Sequence, residues 1–256
     1  MQKTLLFLFL GCVCVVSRAQ AQDSPENYHL EAAVTYWKPS SPEIVITSGS
    51  LATPVDFVNQ FAIEDKWLPD YSLVLKPGRK HKLRFSTMQI KYDGTATINQ
   101  RISFQGVTYN VGIPTTAELK WTLMRLGYEY DFVSTPMGFA GVFTDVKFNK
   151  VNATLTASQV GSATFERNVP VPTIGGIARG YATKFVSITG EFTGLKVNHG
   201  TFDAKFYDLD LYGTANFGRN VGAQIGYRSV TVDYTVDNDA GNMKLKGPYL
   251  GGIVRF

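Results

Sequence analysis

The stretch YDLDLYGTANF, residues 207–217, decides the fold because its side chains alternate between apolar and polar with a period of two. One face of this stretch carries Tyr207, Leu209, Leu211, Gly213, Ala215 and Phe217. The opposite face carries Asp208, Asp210, Tyr212, Thr214 and Asn216. Such alternation predicts a β-strand with one apolar and one polar face.

The same alternation runs through most of the chain, and helical periodicity is nearly absent. We predict ten strands, with eight as the alternative count, near residues 28–37, 71–76, 81–93, 115–133, 138–157, 173–181, 185–197, 203–217, 221–236 and 243–256. The alternation breaks near Met88, Val151, Leu195 and Val230. These breaks indicate either β-bulges or the points where strands leave a membrane.

The connections between these strands alternate in length. Short ones fall at 77–80, 134–137, 182–184 and 218–220, and longer ones at about 38–70, 94–114, 158–172, 198–202 and 237–242. This alternation is typical of a transmembrane antiparallel up-and-down β-barrel, whose strands are apolar outside and polar inside. The alternative is a soluble sandwich or lipocalin-like barrel. Aromatic residues near strand ends favour the membrane barrel.

The first 21 residues predict a secretory signal peptide. Lys3 precedes an apolar run at 4–16, and Ala19-Gln20-Ala21 is a small-x-small cleavage site. The alternatives are a membrane anchor, for which the run is short, and a lipoprotein site at Cys12. Both cysteines lie in this segment, so the predicted mature barrel, residues 22–256, has no disulfide. Its 23 basic and 21 acidic residues argue against a nucleic-acid partner.

The final stretch YLGGIVRF, residues 249–256, predicts a β-strand that continues to its last residue. Leu250, Val254 and Phe256 share one face. A terminal Phe on an alternating strand resembles the assembly signal of bacterial outer-membrane proteins. This resemblance implies the barrel-assembly machinery and periplasmic chaperones as partners. The last strand must pair with the first, because an open edge in lipid leaves backbone groups unsatisfied.

Several stretches together carry a wider resemblance. They are KPGRKHKLRF, RLGYEYDF, VPTIGGIARGY, SITGEFTG, LYGTANF, VGAQIGYRS and GPYLGGIVRF. Through them the chain resembles a family of small outer-membrane β-barrels from environmental Gram-negative bacteria, acidobacteria in particular. The resemblance implies a place in the outer membrane, among its lipid and lipopolysaccharide, and implies no particular activity.

The polar faces of the strands supply candidate lumen-lining residues. They are Arg84, Arg125, Glu129, Asp131, Glu191, Asp208, Asp210 and Arg228, with Asp145, Lys147 and Arg255 as further inward-facing charges. Their signs are mixed, and buried charges require partners. We therefore expect ion pairs to fill a narrow bore, with a narrow ligand or ion path as the alternative.

No catalytic residue, metal ligand or cofactor is predicted. The three histidines, His29, His81 and His199, show no metal-ligand spacing. An outer-membrane hydrolase, acting on protein or lipid, is the alternative function. It would need a rim site near His199 with Asp203, Asp208 or Asp210.

The segment 38–70 has a character of its own. Thr53-Pro54 before VDFVNQFAI predicts a short helix with Thr53 as N-cap and an apolar stripe. This segment either packs on itself or gates the barrel for small apolar molecules. The expected function is therefore envelope support, or the binding or porin-like passage of small, hydrophobic solutes.

Overall fold

A computed structural model describes residues 26–40, 42–49, 51–61, 63–199, 202–236 and 239–256. The predicted signal peptide lies outside these residues. The described chain forms fourteen strands: β1 (Leu30–Trp37), β2 (Glu43–Ser48), β3 (Val55–Asp56), β4 (Leu68–Gly78), β5 (His81–Thr97), β6 (Ile102–Phe104), β7 (Val107–Tyr109), β8 (Pro114–Thr135), β9 (Gly138–Ala157), β10 (Gly161–Thr183), β11 (Val186–His199), β12 (Phe202–Phe217), β13 (Val221–Val236) and β14 (Asp239–Arg255). Within the same residues, no helix is long and apolar enough to cross a membrane.

Ten of these strands close into an antiparallel up-and-down barrel, which confirms the predicted count over the alternative of eight. The barrel strands are β1, β4, β5 and β8–β14 in turn. β1 pairs with β14 from Glu31 opposite Arg255 to Trp37 opposite Tyr249. The backbone of Phe256 extends the seam, donating to the Leu30 carbonyl at 2.8 Å and accepting from the Leu30 N–H at 2.9 Å. The last strand thus closes the barrel on the first.

The inner face of the barrel changes chemistry halfway up. In β5 the even-numbered residues face inward throughout: first Lys82 and Arg84, then Met88, Ile90 and Tyr92. The other long strands change in the same way, so the half with the short turns is polar inside and the half with the longer connections is apolar inside. Pairing continues without a shift past Met88, Val151, Leu195 and Val230. The bulge interpretation of these breaks is therefore wrong.

The outer face changes in the opposite sense. Around the half that is polar inside, it exposes a belt of large apolar side chains, among them Leu83, Phe85, Leu126, Phe148, Ile188, Leu211, Ile225 and Leu250. Exposed apolar area on this scale is covered by lipid in a membrane barrel. This half crosses the membrane, and by the general orientation of such barrels the short turns are periplasmic. The half with the apolar interior stands above the outer leaflet.

Two sequence predictions at the extracellular end are wrong. Residues 161–172 belong to β10, so the predicted loop 158–172 is mostly strand. The expected helix after Thr53-Pro54 is instead β3 followed by a turn. There the Asp56 carboxylate accepts from the N–H groups of Val58 at 3.0 Å and Asn59 at 2.9 Å, and such local bonds compete with a helix. Ala62, at the end of the predicted stripe, lies outside the described residues.

The segments between the barrel strands pack into the extracellular half. Phe57, Phe61, Phe104 and Tyr109 are fully buried there against barrel residues that include Trp121. The approach to β5 is close, because a Cβ on Gly94 would lie 2.3 Å from the carbonyl oxygen of Phe61. These segments therefore form an apolar core inside the upper barrel.

Candidate functional site

The centre of the membrane-spanning half is built around Glu191 on β11. Its two carboxylate oxygens accept from Arg84 at 2.5 Å and from Arg125 at 2.6 Å. Arg84 also bonds Glu129 at 2.9 Å, and Arg125 pairs with Asp145. The Phe143 ring lies against both guanidinium groups, at 4.9 and 4.8 Å. Side chains of β5, β8, β9 and β11 are thus joined across the bore.

A second group of ion pairs lies on the other wall. Arg228 binds Asp208 through two bonds of 3.0 and 2.9 Å and reaches Asp70 on β4 at 2.9 Å. The Lys147 ammonium also pairs with the Asp208 carboxylate, at 3.0 Å. Paired, hydrogen-bonded carboxylates of this kind satisfy the requirement that buried charges have partners.

The periplasmic end carries a third group. Arg179 bonds Glu31 at 3.0 Å and Glu26 at 3.3 Å, while Arg255 bonds Glu31 at 2.7 Å. Lys76 lies 3.7 Å from Glu26. All five of these side chains are buried. This end of the bore is therefore as filled as its centre.

The structure places the eight predicted lumen residues on the inner wall. Seven of them form ion pairs, and Asp210 accepts a hydrogen bond from Tyr249 at 2.9 Å. The sequence analysis missed Glu26, Glu31, Asp70, Lys76, Lys82 and Arg179. Lys82 lies two residues before Arg84 on β5 and therefore faces the same side. The alternation that predicts Arg84 to face inward could also have identified Lys82. A cavity of about 100 Å³, a volume of a few water molecules, is what remains at the centre.

Above this network lies an apolar pocket of about 310 Å³ inside the extracellular half. Its walls come from β8–β14, and its floor includes Phe206, whose ring covers the Lys147 ammonium at 4.4 Å. Val171, Val197 and Val232 line its sides. This pocket separates the charged lumen from the apolar core formed by the extracellular segments.

The pocket lies beside a gap in the barrel wall. β10 pairs with β11 only up to Ile174 opposite Gly194. Beyond that level β10 continues on β9 as far as Gly161, and β11 continues on β12 as far as His199. The inner-facing Val169 is accordingly 39% exposed. The two strands separate next to the pocket.

Two prolines account for this separation. Successive residues of a strand direct their N–H groups to alternate neighbours, and Tyr181 donates to the Met137 carbonyl on the β9 side. The even-numbered Pro170 and Pro172 therefore direct their nitrogens towards β11. Proline has no N–H, so these positions offer β11 no ladder donor, and proline is confined to such edges.

One polar group in the pocket wall lacks a partner. The buried hydroxyl of Tyr234 makes no hydrogen bond within the described residues. Burial raises the pKa of Tyr234 to about 12, and the Asp239 carboxylate adds to the shift, so the hydroxyl is neutral at pH 7. Asp239 itself is held by Arg167 and by the Ser48 hydroxyl at 2.7 Å. The hydroxyl oxygen is itself covered by protein atoms, so a bound solute reaches it only once the Tyr234 ring turns.

The predicted hydrolase site has no described geometry, because the His199 side chain lies outside the described residues. Asp203 accepts from Asn198 at 2.9 Å, while Asp208 and Asp210 lie in the lumen network. The described residues bring together no group of three or more His, Cys, Asp or Glu side chains suited to a metal ion.

Comparison with solved structures places the fold among outer-membrane barrels. The outer membrane protease OmpT from Escherichia coli superposes with a TM-score of 0.60 at 8% identity, covering 93% of this chain and 99% of OmpT. Ail of Yersinia pestis gives 0.40 at 7% identity over 89% and 99%, and the NalP translocator domain of Neisseria meningitidis gives 0.43 at 12% over 89% and 88%.

The chain has the fold of an outer-membrane β-barrel. The likeness to OmpT shows this fold alone, and neither a location nor an activity follows from it. No family model matches the chain, and no curated protein matches it. The resemblance to acidobacterial barrels stays a prediction.

Proposed function

We propose that this outer-membrane barrel binds small hydrophobic solutes in the pocket above its charged lumen, and that it acts without catalysis. The carrying observation is the pocket itself, about 310 Å³ with an almost wholly apolar lining. Ligand sites are typically apolar cavities of about 300–1,000 Å³ with few polar groups. An apolar cavity of about 150 Å³ holds benzene, so this pocket suits solutes of about one or two rings.

The lumen network supports the proposal because its ion pairs leave little room for solutes to diffuse through the bore. The ion pairs around Glu191, Asp208 and Glu31 occupy both its centre and its periplasmic end. An apolar solute would have to displace charges that are paired and desolvated, which costs several kcal/mol per ion. The solute is therefore held in the upper half. Outer-membrane lipid, lipopolysaccharide and the assembly machinery remain the proposed partners.

The unpartnered Tyr234 hydroxyl narrows the ligand class. A ring carrying one hydroxyl, amine or carbonyl group would gain a hydrogen bond there when the Tyr234 ring turns its covered hydroxyl towards the pocket. A net hydrogen bond contributes about 0.5–1.5 kcal/mol, or about two- to tenfold in affinity. We therefore expect 1-naphthylamine to bind about two- to tenfold more tightly than 1-methylnaphthalene, and Tyr234→Phe to abolish the difference.

The test is equilibrium binding to the refolded mature chain in lipid nanodiscs. Trp121 lines the pocket, so bound 1-naphthylamine is measured by energy transfer from the three tryptophans of the chain, and 1-methylnaphthalene by competition. Val197→Trp fills the pocket and should abolish binding. The matched control is Val142→Trp on the lipid-facing side of β9, 50% exposed, which should bind normally. Equal binding by both variants would refute the pocket.

A further inference from the structure

The gap between β10 and β11 lies at a definite height. Nine steps along β10 separate Thr183, the last strand residue before the periplasmic turn, from Ile174, where pairing with β11 ends. At about 3.4 Å per step and a tilt of about 45°, they span about 22 Å. The apolar belt of an outer-membrane barrel is about 25 Å tall. The gap therefore opens at the upper edge of the belt, beside the outer leaflet.

The side chains around the gap agree with this height. Just below it, Ile174 and Phe192 face outward, 70% and 48% exposed, as lipid-facing residues do. Just above it, the next outward residue of β11 after Gly194 is the exposed Lys196, and lysine suits the head-group region. The mouth between the strands thus meets the boundary between acyl chains and head groups.

In the described part of the chain, the pocket lies between the lumen network and the apolar core of the extracellular segments. The lumen network lies below. Above, the fully buried Phe57, Phe61 and Phe104 pack in the apolar core, and Arg167 reaches across to Asp239. By contrast, the wall at Pro170 and Pro172 lacks the donors that would seal it.

We propose that hydrophobic solutes enter and leave the pocket sideways, between β10 and β11, in exchange with the outer leaflet. This inference rests on the proposed function and adds a route to it. A small apolar solute partitions into the bilayer, so a lateral mouth gives access without passage through water. The Val169–Pro172 segment is the structural basis of the route, because its prolines keep the ladder open beside an apolar cavity.

The test links the two strands across the mouth. Extending the register from Ile174 opposite Gly194 places Pro172 opposite Lys196. Both cysteines of the full sequence lie in the first 21 residues, so Pro172→Cys with Lys196→Cys gives the mature chain its only thiols. Bismaleimides of increasing length then bridge them. The control is Thr122→Cys with Lys150→Cys, outward-facing partners in the closed β8–β9 ladder.

The readout is the rate at which 1-naphthylamine, preloaded in vesicles, reaches the pocket of the vesicle-embedded barrel, followed by stopped-flow energy transfer. Bridging the mouth should slow association and release about tenfold or more and leave the end-point affinity much less affected, while bridging the control changes neither. Unchanged rates with the mouth bridged would overturn the lateral route and leave the pocket intact. Absence of binding before bridging would instead refute the proposed function.

The thiols also report on the gap directly. A disulfide needs Cα atoms about 4.4–6.8 Å apart. Pro172→Cys restores one N–H, but Pro170 stays and still offers β11 no donor, so the separated strands should require a linker. Rapid disulfide formation without any linker would mean that β10 and β11 are paired at this level, and would overturn the inference.

Discussion

Glu191→Ala should destabilise the barrel more than any exposed charge substitution. Glu191 binds Arg84 at 2.5 Å and Arg125 at 2.6 Å, and its side chain is 11% exposed. Removing it takes one charge-assisted bond from each guanidinium, and such bonds contribute about 1.5–3 kcal/mol. Arg84 retains Glu129, and Arg125 retains Asp145. We therefore expect a loss of about 3–5 kcal/mol in the free energy of unfolding, the range for breaking a buried ion pair.

Urea unfolding of the mature chain in lipid vesicles measures this loss, with the heat-modifiable gel shift to confirm that each variant folds. The matched control is Glu118→Ala, whose carboxylate lies 3.7 Å from Lys120 with both side chains more than half exposed. It should cost less than about 1 kcal/mol. Glu191→Gln keeps an acceptor and should fall between the two. A cost below about 1 kcal/mol for Glu191→Ala would refute the account of a tightly paired lumen.

Three further predictions concern the bore, the extracellular core and the gap. The refolded barrel should show no steady conductance in a planar bilayer, and a stable open level would contradict a filled bore. Gly94→Val should displace the segment around Phe61, because even a Cβ would lie 2.3 Å from the Phe61 carbonyl oxygen, and limited proteolysis should then cut within 38–67 while the gel shift persists. Unchanged resistance would argue against that packing. Pro170→Val with Pro172→Val restores two donors and should raise amide-exchange protection in β11 above Gly194; unaltered exchange would show that the prolines do not open the seam.

The regular strands could be predicted closely from the sequence. The bounds 138–157 and 221–236 match β9 and β13, because apolar and polar residues alternate along both strands even where the two faces exchange roles. The lumen residues on these and neighbouring strands followed from the same parity. The alternation does not predict which charges pair with each other, because partners such as Arg84 and Glu191 lie on strands from different parts of the wall.

The missed features depend on context that a local pattern lacks. The sequence predicts a loop over about 158–172, which includes VPVP at 169–172. This stretch instead stays in β10, because β9 needs donors only from the residues between the prolines. The helix expected after Pro54 does not form, because the Asp56 carboxylate accepts hydrogen bonds from the N–H groups of Val58 and Asn59 in a local turn. The pocket arises because β10 and β11 stop pairing at Ile174 and Gly194, although both strands continue beyond these residues. The sequence of neither strand alone predicts where their pairing stops.

The most direct test of the account is a crystal structure of the mature barrel soaked with 1-bromonaphthalene, whose bromine is located by anomalous scattering. The account predicts one strong bromine peak inside the extracellular half, between the rings of Phe206 and Tyr234. A peak within the lumen among Arg84, Arg125 and Glu191, or a pocket left without bromine while the lipid belt is labelled, would contradict it.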